Sequence, residues 1–358
     1  MLVLLVAALA VVDITQGTAA VGPAEVFKAL TGQADPADAS VVIASRLPRM
    51  TDGILVGVIL GVAGAVLQAV SRNVLASPDI LAVNAGSYLA LGLVGATGVS
   101  LPLLASSRVA FVGGPARRTG GVGCLRRSRA GRGTARHHRT RRRSWSVAGA
   151  AFAGAAVASV VVCGLAAPGG YQQNRLVLVG IGVAAGTTAL ISLLIVLTDP
   201  FNATKALTWL SGSTYGRTMP DVLPVALVLM PGLVVAVARR TELDLVSLDG
   251  DTPRLLGLRL SRARLGFLVV SVLLSATAVA SAGTIGFVGL VAPHAARALV
   301  GRRHVRVVPV AVLLGAALVC TADLLGRTVI APSQLGAGLM TAVIGTSYFL
   351  YLLVRSRR

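Results

Sequence analysis

The sequence predicts an all-α, polytopic membrane protein of about ten transmembrane helices. Three observations carry that expectation. Of 358 residues, 55% are hydrophobic and only 13% charged, about half the charged share of an ordinary soluble domain. Too little polar sequence is left to coat a soluble bundle. Apolar runs recur along the whole length, and a hydrocarbon core about 30 Å thick takes roughly 20 helical residues to cross. Outside one basic stretch, the arginines gather in short gaps between those runs, where the positive-inside rule puts them.

The runs fall at about 2–12, 53–71, 82–105, 147–166, 176–198, 221–238, 264–282, 284–300, 307–325 and 336–354. Each must be helical, because lipid offers the backbone no hydrogen-bond partner. The split between the seventh and eighth rests on Ala282-Gly283. Met1 to Val12 carries no Lys or Arg ahead of it and so lacks the basic leader of a signal peptide. It reads as the second half of a membrane helix, with a start codon expected upstream.

Orientation follows from the gaps. With the N-terminus inside, the cytoplasmic gaps hold Arg72, then Arg175, then Arg239, Arg240, Arg254, Arg259, Arg262 and Arg264. Arg302, Arg303 and Arg306 follow, then the tail Arg355, Arg357 and Arg358. The outer gaps are poorer, with Lys28, Arg46, Arg49, Lys205, Arg217 and Arg327. Both termini are expected in the cytoplasm.

Residues 113–144 break this pattern. Eleven arginines lie between Pro115 and Arg143, on the side expected to face outward, with no Asp or Glu among them. The formal net charge of +20 would suggest nucleic acid in a soluble protein. Here no aromatic is interleaved with the arginines and an outer face offers no RNA, so no nucleic-acid partner is expected. A solvated basic loop is one explanation. The Arg/Gly/Ala-rich texture of GGPARRTGGVGCLRRSRAGRGTARHHRTRRRS fits another, an aberrant insert or frameshift scar in GC-rich DNA. A non-functional product of a damaged gene then stays open.

The chemistry-bearing residues are few. The three cysteines, Cys124, Cys163 and Cys320, form no CxxC pair, and His294 has no second ligand at metal spacing. No cofactor or metal is expected. No Gly-xxxx-Gly-Lys-Ser/Thr phosphate loop occurs, so the chain is not an ATPase. Gly57, Gly61 and Gly64 share one side of the second run, a spacing that lets helix backbones approach closely in lipid. An ion-coupled secondary transporter would need ionisable groups buried mid-span. The runs offer the uncharged Gln68, and Asp323 near an end. Asp323 can pair with Arg327 one helical turn on.

Three stretches go beyond hydropathy. The first is Arg46-Leu-Pro-Arg49, followed by GVILGVAGAVLQAVSRNVLASPDILAVNAG from Gly57 to Gly86. The second is Gly283-Thr-Ile-Gly-Phe-Val-Gly-Leu-Val-Ala-Pro-His-Ala-Ala-Arg297. The third is Ala322-Asp-Leu-Leu-Gly-Arg327, with a last run containing Gly345. Together they closely resemble the FecCD family of ABC permeases, importers of ferric siderophores, haem and cobalamin. The resemblance covers about residues 40–105 and 147–354.

It implies a type II ABC-importer bundle in a bacterial cell membrane. It also implies a second permease subunit, a cytoplasmic ABC ATPase and an extracytoplasmic substrate-binding lipoprotein. Arg46, Arg49 and Arg327 match family arginines that receive acidic side chains of the binding protein, although an interfacial arginine also serves as an anchor. The cytoplasmic segment 239–264 resembles the family's two short coupling helices, which implicates Leu248, Asp249, Gly250, Asp251, Thr252, Leu256 and Gly257 in contact with the ATPase. Asp251-Thr252-Pro253 also reads as an ordinary capped helix start. Gly57, Gly61, Gly64, Gln68, Gly286, Gly289 and Pro293 are expected in helix packing or along the pathway. The sequence departs from the family at Val74, at Ala82 where Gly is usual, at Gly336 and at Thr346-Ser347.

Overall fold

The computed structural model describes residues 1–16, 21–97, 132–169, 173–197, 211–248, 252–329 and 334–356. Its helices are α1 (Leu2–Thr15), α2 (Pro23–Leu30), α3 (Pro36–Val41), α4 (Leu47–Ser71), α5 (Val83–Thr97), α6 (Arg132–Ala166) and α7 (Gln173–Leu197). They continue with α8 (Met219–Ala238), α9 (Arg240–Val246), α10 (Thr252–Leu255), α11 (Leu260–Ala282), α12 (Val288–Val300), α13 (His304–Thr328) and α14 (Ala337–Ser356). No strand occurs among the described residues.

A helix stands over each of the ten apolar runs. Among the described residues, six helical stretches are long and apolar enough to cross a membrane: 36–71, 148–166, 174–197, 219–238, 260–282 and 304–328. Shorter apolar helices cover 2–15, 288–300 and 337–352, and α5 stands over the third run. The seventh and eighth runs separate at Gly283, whose φ of 72° ends α11. Helix α12 starts only at Val288, so residues 283–287 form a non-helical step. Of the basic segment 113–144, residues 113–131 lie outside the described residues and 132–144 open α6.

Helix α4 is the axis of the bundle, and from Ile59 to Ser71 every residue is buried. Its small residues explain how neighbours close around it. A Cβ on Gly61 would lie 2.5 Å from the Ala311 carbonyl oxygen, and one on Gly57 would lie 2.7 Å from the Ala316 Cα, so α13 rests backbone to backbone on α4. Gly64 faces Gly289 of α12 in the same way. Dispersion between close backbones replaces the hydrophobic drive that lipid removes.

The segment after α4 folds back into the bundle. Arg72 turns the chain at φ 51°, and a 3-10 turn, Pro78–Leu81, tucks in beside α12 and α7. Gly289 makes room for the Pro78 ring and Gly180 for the Ile80 carbonyl. Ser159 donates to the Leu81 carbonyl at 3.1 Å. Such irregular backbone is tolerated at depth only where protein covers and satisfies it. Helix α7, in contrast, exposes Leu178, Ile181, Leu190, Leu193 and Val196.

Candidate functional site

The buried charged and amide side chains gather at two ends of the bundle. At one end a π-helical turn, Val42–Arg46, leads into α4. Three arginines are almost fully buried there: Arg46 at 6%, Arg49 at 8% and Arg327 at 7% exposure. A buried charge must be paired and hydrogen-bonded, and each has acceptors.

Helix α1 ends at this cluster with the unsatisfied carbonyls of its last turn. Arg46 donates from Nη1 to the carbonyls of Ile14 and Thr15, both at 2.9 Å. Arg327 donates to the carbonyls of Gln16 at 2.9 Å and Asp13 at 2.8 Å, and it also pairs with the Asp13 carboxylate. Two guanidiniums from α13 and the approach to α4 thus cap the negative end of the α1 dipole.

Arg49 forms a two-pronged pair with Asp323, Nε to Oδ2 at 2.9 Å and Nη2 to Oδ1 at 3.0 Å. Thr214 donates to the same Oδ1 at 2.7 Å. Arg49 Nη1 donates to Gln334 at 3.1 Å, and the exposed Tyr215 ring lies 5.7 Å from its guanidinium carbon. The sequence expectation paired Asp323 with Arg327. The structure keeps that ion pair, with Arg327 Nε 3.9 Å from Asp323 Oδ2, and adds a closer one, because Arg49 presents a planar fork that takes both carboxylate oxygens at once.

Asp52, one turn beyond Arg49, is wholly buried and accepts from Ser281 at 2.6 Å. Beside Ser281, a cavity of about 240 Å³ opens between α6, α8 and α11, lined by Phe152, Arg217, Asp221, Val225 and Thr277 among others. Sequence reasoning passed over Asp13, Asp52 and Thr214. Asp13 stands directly after the first apolar run.

At the other end, Gln68 joins three segments. Its Nε2 donates to the carbonyls of Ala76 and Leu290, both at 3.2 Å, and its Oε1 accepts from Arg297. Pro293 is buried in α12, whereas a Cβ on Gly286 would meet nothing within 4 Å. His294 stacks edge-on to Tyr348 with ring centroids 6.1 Å apart. No cluster of three or more His, Cys, Asp or Glu side chains with metal-binding geometry occurs among the described residues.

The segment 239–264 holds two short helices, α9 and α10. Leu243 and Val246 of α9 are fully buried. Of the residues implicated in ATPase contact, Leu248, Thr252, Leu256 and Gly257 are exposed around α10, and Gly257 takes φ 81°. Asp249, Gly250 and Asp251 lie outside the described residues.

The FecCD transport family model matches residues 3–136 and 139–355, nearly the whole chain. The chain belongs to the FecCD transport family. Among FecCD relatives, the iron(3+)-hydroxamate import system permease protein FhuG of Bacillus subtilis is 33% identical, over 99% of this chain and 95% of its own length. The Fe(3+) dicitrate transport system permease protein FecD of Escherichia coli is 34% identical, over 88% and 86%. The hemin transport system permease protein HmuU of Yersinia pestis is 30% identical, over 87% and 82%. The fold matches a metal-chelate type ABC transporter solved in an inward-facing conformation, with a TM-score of 0.77 and 24% identity over 99% of this chain and 97% of that one.

As a FecCD member the chain is a multi-pass bacterial inner-membrane transport permease rather than an enzyme. One of its departures from the family pattern has a structural correlate. Ala82, where Gly is usual, takes φ 54° after the buried 3-10 turn, a left-handed conformation that glycine enters without steric cost.

Proposed function

We propose that this chain is the membrane-spanning permease subunit of an ATP-driven importer that carries a ferric siderophore or related metal chelate into the cytoplasm. The observation that carries the proposal is the near-full-length match to permeases whose names specify iron-hydroxamate, ferric citrate and hemin cargo. A second permease subunit completes the pathway. A separate ATPase supplies the energy, and the two-helix segment 239–264 is its contact. An extracytoplasmic substrate-binding lipoprotein docks at the Arg46, Arg49 and Arg327 end. A secondary transporter would place ionisable groups along an ion pathway within the spans, whereas these arginines and their acceptors join helix ends.

The test is uptake of radiolabelled ferric siderophore, ferric citrate and haem by the source bacterium with and without this gene. Loss of uptake of one chelate, restored by the wild-type gene, supports the proposal. Unchanged uptake of all three in the deletion strain overturns the cargo assignment. The same complementation decides whether residues 113–144 are an aberrant insert. A gene copy whose product reaches the membrane but restores no transport, while a version lacking the stretch does, identifies a damaged permease.

A further inference from the structure

The first turn of α13 is capped from another helix. Its own N-cap residue, Arg303, makes no side-chain cap bond. Instead Asp244 of α9 reaches across. Its Oδ1 accepts from the His304 backbone N–H at 2.9 Å and lies 2.6 Å from His304 Nδ1. His304 is buried at 1% exposure, while the Asp244 side chain is 38% exposed. On either side of Asp244, Leu243 and Val246 are fixed in the main core. The carboxylate therefore stands at the joint between the short helix that opens segment 239–264 and the start of a long membrane helix.

Helix α13 is suited to carry a displacement. Its 25 residues span about 37 Å at 1.5 Å per residue. Pro309 removes one ladder bond near the start. Beyond it, Ala311 and Gly315 lie against the α4 backbone, and the far end carries Asp323 and Arg327, which hold α4 and α1. One helix thus joins the Asp244 contact to the buried arginine cluster. By chain alone the path from α9 to α13 is long, running through α10 and then the whole of α11 and α12.

Resting on the permease function proposed above, we propose that Asp244 is a positioning residue of the transport cycle, fastening the cytoplasmic two-helix segment to α13 so that its displacement reaches the Asp323 and Arg327 cluster. A paired hydrogen bond at a half-exposed carboxylate fits this role. It is directional, and it carries no large burial penalty when it strains or re-forms.

The test uses the assembled transporter, purified on a tag carried by this chain together with its ATPase and second permease subunit, in liposomes with its binding protein. The reading is labelled ferric chelate moved per ATP hydrolysed, a ratio in which the amount of assembled protein cancels. Asp244→Ala is expected to lower the ratio about tenfold. Asp244→Asn keeps an acceptor oxygen and caps helices about as well as Asp, so it is expected to stay within about twofold of wild type. Asp244→Glu keeps the charge but displaces the oxygen. It is expected between the two and supplies the measurement should the alanine variant fail to assemble. A purely structural contact would lower yield and leave the ratio alone, and that result overturns the proposal. So does an Asn variant as uncoupled as the Ala variant. A wild-type transporter that hydrolyses ATP and moves no chelate overturns the permease function and this inference with it. A competent wild type with an unaffected Asp244→Ala overturns the inference alone.

Discussion

Replacing Asp323 by Leu removes the centre of the arginine cluster. The carboxylate accepts at 2.9 and 3.0 Å from Arg49 and at 2.7 Å from Thr214, and Arg327 Nε stands 3.9 Å away. Without it, Arg49 keeps its charge at 8% exposure with only the neutral Gln334 as a hydrogen-bonding partner. Removing one member of a buried ion pair costs about 3–5 kcal/mol, because the other is left uncompensated. The lost Thr214 bond adds about 1 kcal/mol. The assay is thermal unfolding of the detergent-solubilised chain, followed by the monodisperse fraction on size exclusion. The double variant Arg49→Met with Asp323→Leu discriminates further. Replacing both charges by apolar groups is often near neutral, so it is expected to recover most of the loss, with a coupling of about 2–4 kcal/mol between the two sites. An Asp323→Leu variant as stable as wild type, or a double variant whose loss is the sum of the singles, refutes the reasoning.

Four further outcomes are expected. Gly61→Val places a side chain where the Ala311 carbonyl lies 2.5 Å from the first added carbon and should cost about 3 kcal/mol or more through overpacking. Gly286→Ala, facing open space, should leave melting temperature and yield unchanged. Arg46→Ala frees the Ile14 and Thr15 carbonyls and should speed hydrogen exchange in the last turn of α1 about tenfold, with α4 unaffected. Gln68→Leu breaks the link between α4, the Ala76 turn and α12 and should cost about 1–3 kcal/mol, read as a lower melting temperature.

The spans were legible because a lipid-facing helix need only be apolar and long enough. Neither periodicity nor capping has to be right. The short helices α2 and α3 gave no comparable signal. The site was half legible. Arg46, Arg49 and Arg327 stand out as charges at the edges of apolar runs, but their partners do not. Arg49 and Asp323 are 274 residues apart, and Arg327 and Asp13 are 314 apart. Spacing arguments reach one helical turn, which is why they find the Asp323–Arg327 contact and miss the closer Asp323–Arg49 pair. The cap on α13 was hidden for the same reason, since a remote carboxylate supplies what its own N-cap residue does not.

The cluster also sets a condition on docking. A guanidinium has five N–H donors, and Arg46 and Arg327 direct Nη donors to carbonyls and a carboxylate of α1. An incoming carboxylate at either of those would uncap α1. Arg49 differs. Its bonds to Asp323 are charge-assisted and strong, but its third bond, to Gln334 at 3.1 Å, goes to a neutral and exposed side chain beside the exposed Tyr215. Displacing Gln334 therefore costs least, and a partner carboxylate there would bind the one guanidinium nitrogen that Asp323 leaves. Gln334→Glu fills that position from within. It is expected to weaken binding-protein affinity at least tenfold, measured on the purified chain in nanodiscs, with melting temperature held or raised. Gln334→Ala should preserve affinity or tighten it. An unchanged affinity in Gln334→Glu would mean that docking does not run through Arg49, and the role of these arginines would then reduce to holding α1, α4 and α13 together.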